Sequence, residues 1–144
     1  MDWNTLKAAL APATVTVKVE LPYGRDVDVT VGTLSFGEWM QAETLVSEPP
    51  VPRTLAGPNN TKLPNRDDVA YRTALAKANE DRAYIRLALA LEKGGTALPG
   101  ATIADKAAAL KTDLDAGIAN ALMTFIASAA LGGKAAADAT ADSF

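Results

Sequence analysis

The sequence predicts an α+β protein, mainly α, built as a single domain over residues 1–131 with a disordered tail over 132–144. Three observations lead there. Residues 14–31 alternate between valine and polar residues, the period of a half-buried β-hairpin. Residues 67–93 and 103–131 repeat apolar residues at helical spacing, each run preceded by helix-start residues. Between these two halves, residues 47–66 hold five of the eight prolines, which excludes a helix or a central strand there.

Taken in order, residues 2–11 suit a short helix that stops before Pro12. In TVTVKVELPYGRDVDVTV, Val15, Val17 and Val19 share one face, as do Val27, Val29 and Val31, and PYGR supplies the turn. A lone hairpin is marginal in water, so the valine face must pack on something. The short helix 36–46 is the expected cover. Ser35 and Glu38 have capping-box spacing, Leu34 and Trp39 hydrophobic-staple spacing, and Phe36, Trp39, Met40 and Glu43 fall on one face. The Pro-rich arm 47–66 reads equally as an ordered docking arm or a spacer.

Asp67 and Asp68 suit the positive end of the first long helix, and Gly94 its stop. Tyr71, Leu75, Ala78, Arg82, Ile85 and Leu89 form its stripe, widened by Tyr84, Leu87, Ala88 and Leu91. Thr102 is the expected N-cap of the second, whose stripe is Ile103, Ala107, Leu110, Leu114, Ile118, Leu122 and Phe125. The Gly/Pro loop between them predicts an antiparallel αα-hairpin.

Composition narrows the chemistry. Apolar residues make up 49% of the 144, but much of that is alanine and aromatics are only 6%, so large core side chains are scarce. With neither cysteine nor histidine, thiolate and imidazole chemistry and the commonest metal ligands are unavailable, and the DVD and DLD stretches lack the Ca²⁺-loop pattern. Catalytic, cofactor-binding and metal-binding residues are therefore all expected to be none. Glu80 and Asp81 are adjacent on a helix and do not face one another as a proton-sharing pair would. The net charge of −3 is interleaved. Residues 62–93 carry seven basic against five acidic side chains, too mild an excess for a nucleic-acid track. MDWNTLKAALAP is not a signal peptide, and no stretch is long and apolar enough to span a membrane, so neither nucleic acid nor membrane is an expected partner.

What remains is protein recognition. Phe36 and Trp39 read as core residues with an exposed hot spot as the alternative. Arg82 and Arg86, one turn apart, either lay their stems over apolar surface or meet an acidic partner. With Tyr71, Tyr84 and Phe125, these residues make the candidate partner-binding set. A small core would also leave Ala-rich surface of the second long helix for a partner helix.

The order of these features, a valine hairpin, LSFGEWMQAE, a proline arm, DDVAYRTALAKANEDRAYIRLALALEKGG and LPGATIADKAAALKTDLDAGIANALMTF, resembles the tail assembly chaperones of long-tailed (siphovirus-like) bacteriophages over residues 14–131. The resemblance implies a non-enzymatic protein of the host cytoplasm that acts during virion assembly. It would bind the phage tape measure protein and keep it soluble until tail tube subunits assemble around it. The tail tube protein and a second copy of the chain are further partners in view. In that family a longer form often arises by ribosomal frameshifting, for which Gly133-Lys134 is the candidate site. On this reading the proline arm is a docking or subunit-linking segment. The alternative is a structural virion protein, a tail terminator or head–tail connector subunit that assembles into rings; an inhibitor of a host enzyme ranks third.

Overall fold

The computed structural model describes residues 1–9, 14–21, 24–55 and 57–128. The expected tail 132–144, the end of the second long helix, Leu10 and Ala11, and Gly133-Lys134 lie outside the described residues. The protein is α+β and mainly helical, with two small antiparallel sheets. In chain order it comprises α1 (Trp3–Ala9), β1 (Thr14–Glu20), β2 (Asp26–Gly32), α2 (Phe36–Leu45), β3 (Arg53–Leu55), β4 (Lys62–Pro64), α3 (Val69–Lys93) and α4 (Ile103–Asp113). A further helix, α5, is described over residues 116–128.

The valine hairpin forms in the register that places the valines of its two strands opposite one another: Val15 faces Val31, Val17 faces Val29 and Val19 faces Val27. Gly24, at φ 72°, takes the left-handed backbone of the turn, which costs glycine little. Val19 and Val31 are buried, and Val15, Val17 and Val29 pack on the same core.

Helix α2 starts as the sequence demands. The Glu38 N–H donates to Ser35 Oγ at 3.2 Å, and the Ser35 N–H donates to Glu38 Oε1 at 3.0 Å. Lys93 adds an ion pair to the same carboxylate at 2.5 Å, tying the start of α2 to the end of α3. Partial burial works to raise the Glu38 carboxyl, but Lys93 and the Ser35 donors outweigh it and hold the group below its ordinary value of 4.5. A depressed folded pKa stabilises above the unfolded value and is lost as the pH falls through the folded one. Wild type should therefore lose Tm more steeply than Glu38→Gln as the pH is taken below 4.5. Parallel acid limbs in a Tm-against-pH series would show that the contact adds nothing.

Two expectations need correction. First, the valine hairpin does not rest chiefly on α2; β2 and α2 both pack against α3. The α2 residues that enter or adjoin the core are Trp39, Ala42 and Val46, spaced i, i+3, i+7, and Phe36 sits at the edge of that stripe with 80% of its surface exposed. Second, the expected single helix 103–131 is broken after Asp113. Leu114 turns to extended backbone (φ −91°, ψ 135°), and Asp115 restarts the chain by accepting from the Gly117 and Ile118 N–H groups at 2.9 and 3.2 Å. The proline arm, open in sequence to either an ordered arm or a spacer, contains structure of its own. Strands β3 and β4 pair as an exposed mini-hairpin around Pro58–Asn60, with Pro64 at the end of the ladder, where a missing N–H is tolerated.

Helix α3 forms as expected, with Asp68 accepting from the Tyr71 N–H at 2.9 Å and Gly94 at its end. Thr102 caps α4 by accepting from the Asp105 N–H. Lys106 pairs with Glu92 and Lys111 with Asp81 and Glu80, so α4 runs back along α3. The core lies between the hairpin, α2 and α4 with α3 at its centre, and Ala119, Leu122, Phe125 and Ile126 of α5 complete it.

Candidate partner-binding surface

The face where α2 crosses α3 concentrates the residues singled out from sequence. Arg82 is only 8% exposed, which requires its charge to be answered. Its Nη1 meets Glu43 Oε2 at 3.1 Å, and its Nε donates to the Val46 carbonyl at 3.0 Å. Arg86, one turn on, places Nη2 at 3.0 Å from Glu43 Oε1 and donates from Nε to the Trp39 carbonyl at 3.1 Å. Its guanidinium also lies 3.9 Å above the Trp39 ring. Two arginines thus hold one carboxylate, the Trp39 carbonyl of α2, the Val46 carbonyl that caps its end, and an indole face. Among the described residues no buried side-chain polar atom lacks a partner.

The candidate set is consequently divided. Tyr71, Arg82, Tyr84 and Phe125 are interior, where they serve the fold. The arginine stems are packed, and the acid that both guanidinium groups meet is Glu43 of the same chain. Sequence reasoning placed Glu43 on the right face of α2 without seeing its role. An acid on one apolar helix face and two arginines on another is the signal that could have paired them.

Phe36, Trp39 and Arg86 remain at the surface or beside it. Trp39 and Arg86 line a cleft of about 390 Å³ with Leu87, Met123, Ile126 and Ala127, between α2, α3 and α5. On α2, Phe36 and Met40 stand one turn apart, 80% and 41% exposed. A ring left that bare on a capped helix is unusual for a residue that could have been buried. The cleft and these two side chains can accept apolar groups from a partner. Asn120 and Thr124 add polar groups to the cleft, and among the described residues no cluster of three or more acidic side chains is placed to hold a metal ion. No described helix is long and apolar enough to cross a membrane.

The fold is α+β and mainly helical, with Phe36 and Met40 of α2 exposed. No family model, curated protein or solved structure matches the chain.

Proposed function

We propose that this protein is a non-catalytic assembly factor, a phage tail assembly chaperone that holds the tape measure protein soluble while the tail tube is built. The observation that carries the reading is the exposed Phe36–Met40 pair beside the Trp39 cleft: an apolar surface with fixed arginine and indole groups at its edge, suited to the apolar stripe of a client helix. The resemblance of residues 14–131 supplies the client's identity, and a longer frameshifted product diverging at Gly133-Lys134 belongs to the same proposal. The fixed Arg82–Glu43–Arg86 cluster would keep the α2 contact face in one orientation while a client is bound.

The test is co-expression from the native gene with its downstream DNA, reading the soluble fraction of the long helical protein encoded there. Wild type should keep that protein soluble and co-purify with it, and Phe36→Asp/Met40→Asp should reduce the soluble fraction about fivefold while the variant itself stays folded. A client equally soluble without this protein, or with the double variant, would overturn the proposal.

A further inference from the structure

A second apolar surface lies elsewhere on the molecule. No residue of α1 is buried, and Trp3 and Leu6, one helical step of three apart, are 70% and 37% exposed. The helix is capped, since the Thr5 N–H donates to Asp2 at 2.8 Å and that bond holds the Asp2 carboxyl below its ordinary value. Seven residues are nevertheless about half the length at which an isolated helix persists in water, so α1 needs a surface to pack against.

Such a surface exists beside the hairpin. A groove of about 620 Å³ opens where the hairpin meets the ends of α3 and α4, lined by Val27 and Val29, Leu91 and Leu98, and Leu114 and Ile118. Val27 at its mouth is 44% exposed. The charged residue lining the groove is Asp28, and Asp113 and Asp115 flank Leu114. The charged side chain within α1 is Lys7, one turn from Trp3. Apolar stripe and basic edge on the helix thus complement apolar floor and acidic edge in the groove.

We propose that α1 of one copy docks in the groove of a second copy, and the reverse, forming a twofold dimer by helix exchange. Both complementary surfaces lie bare on the same chain, so one symmetric exchange covers two helices and two grooves. With each indole worth roughly 150–250 Å² of contact, the whole interface buries on the order of 1,000 Å², the lower end for a specific complex. The exchange uses neither Phe36 nor the Trp39 cleft and is independent of the client reading.

Sedimentation of the full chain over a concentration series tests it. Wild type should pass from monomer to dimer, and Trp3→Ala and Val27→Glu should each weaken association at least tenfold while keeping the wild-type circular dichroism spectrum. A wild type monomeric throughout the series, or a dimer indifferent to either Trp3→Ala or Val27→Glu, would overturn the exchange.

Discussion

Glu43→Ala is expected to destabilise the protein by about 2–3 kcal/mol, with a fall in Tm of roughly 6–10 °C. The carboxylate answers two guanidinium groups, Arg82 at 3.1 Å and Arg86 at 3.0 Å, and Arg82 has little access to water. Removing it leaves one charge buried with only the Val46 carbonyl as partner and another held by the Trp39 carbonyl and ring. Breaking a fully buried ion pair costs about 3–5 kcal/mol; Glu43 keeps 36% of its side chain exposed, so water relieves part of that. The three groups act as a unit. Glu43→Ala should therefore cost less in an Arg86→Ala background than in wild type, with a coupling of about 1 kcal/mol or more in a double-mutant cycle. A single-variant loss under about 0.5 kcal/mol would place the cluster among ordinary surface ion pairs, which contribute little.

The legibility of this structure follows the range of the forces that made it. Where neighbours in sequence decide the outcome, the residues were sufficient. The Ser35–Glu38 box, the Asp68 and Thr102 caps and the alternation of Val15 to Val31 are set by contacts a few residues apart or by simple period. The rotation of α2 was not legible, because Phe36 and Trp39 are both plausible centres of its apolar face. Only the presence of Arg86 and Glu43 across from Trp39 decides which one turns inward. The break at Leu114 was hidden by its own stripe: Leu110, Leu114, Ile118 and Leu122 all line the same groove, so apolar spacing continues through a change of helix. Asp115 followed by Gly117 was the available signal, an N-cap ahead of a poor helix former. Of the candidate site, the residue types were legible and their exposure was not, since burial is a property of the assembled core.

The same reasoning separates what the two apolar surfaces can do. The Phe36–Met40 face sits on a helix tied to α3 by the Glu43–Arg82–Arg86 ion cluster. The groove under Val27 joins the hairpin, α3, α4 and α5, so its shape depends on how closely the hairpin approaches the end of α3.

That approach is fixed at Gly94, and Gly94→Ala is expected to destabilise the protein by about 3 kcal/mol. Its backbone lies at φ −78°, ψ −3°, which any residue can adopt, so the cost is steric. An added Cβ would lie 2.1 Å from the Thr30 carbonyl oxygen, 2.6 Å from its carbon and 2.9 Å from the Val31 Cα. All three are backbone atoms, so no rotamer change relieves the overlap. The end of α3 must move off β2, loosening Val31 and Leu91 in the core and widening the groove that Leu91 and Gly94 line. Gly37→Ala provides the control: on α2 an added Cβ finds only Ser35 Oγ, 4.0 Å away, and the gain in helix propensity should stabilise by about 0.5–1 kcal/mol. Urea midpoints should thus move in opposite directions for the two glycines. If Gly94→Ala unfolds at the wild-type midpoint, the hairpin and α3 are not held at this distance, and the groove has no fixed shape to receive a helix.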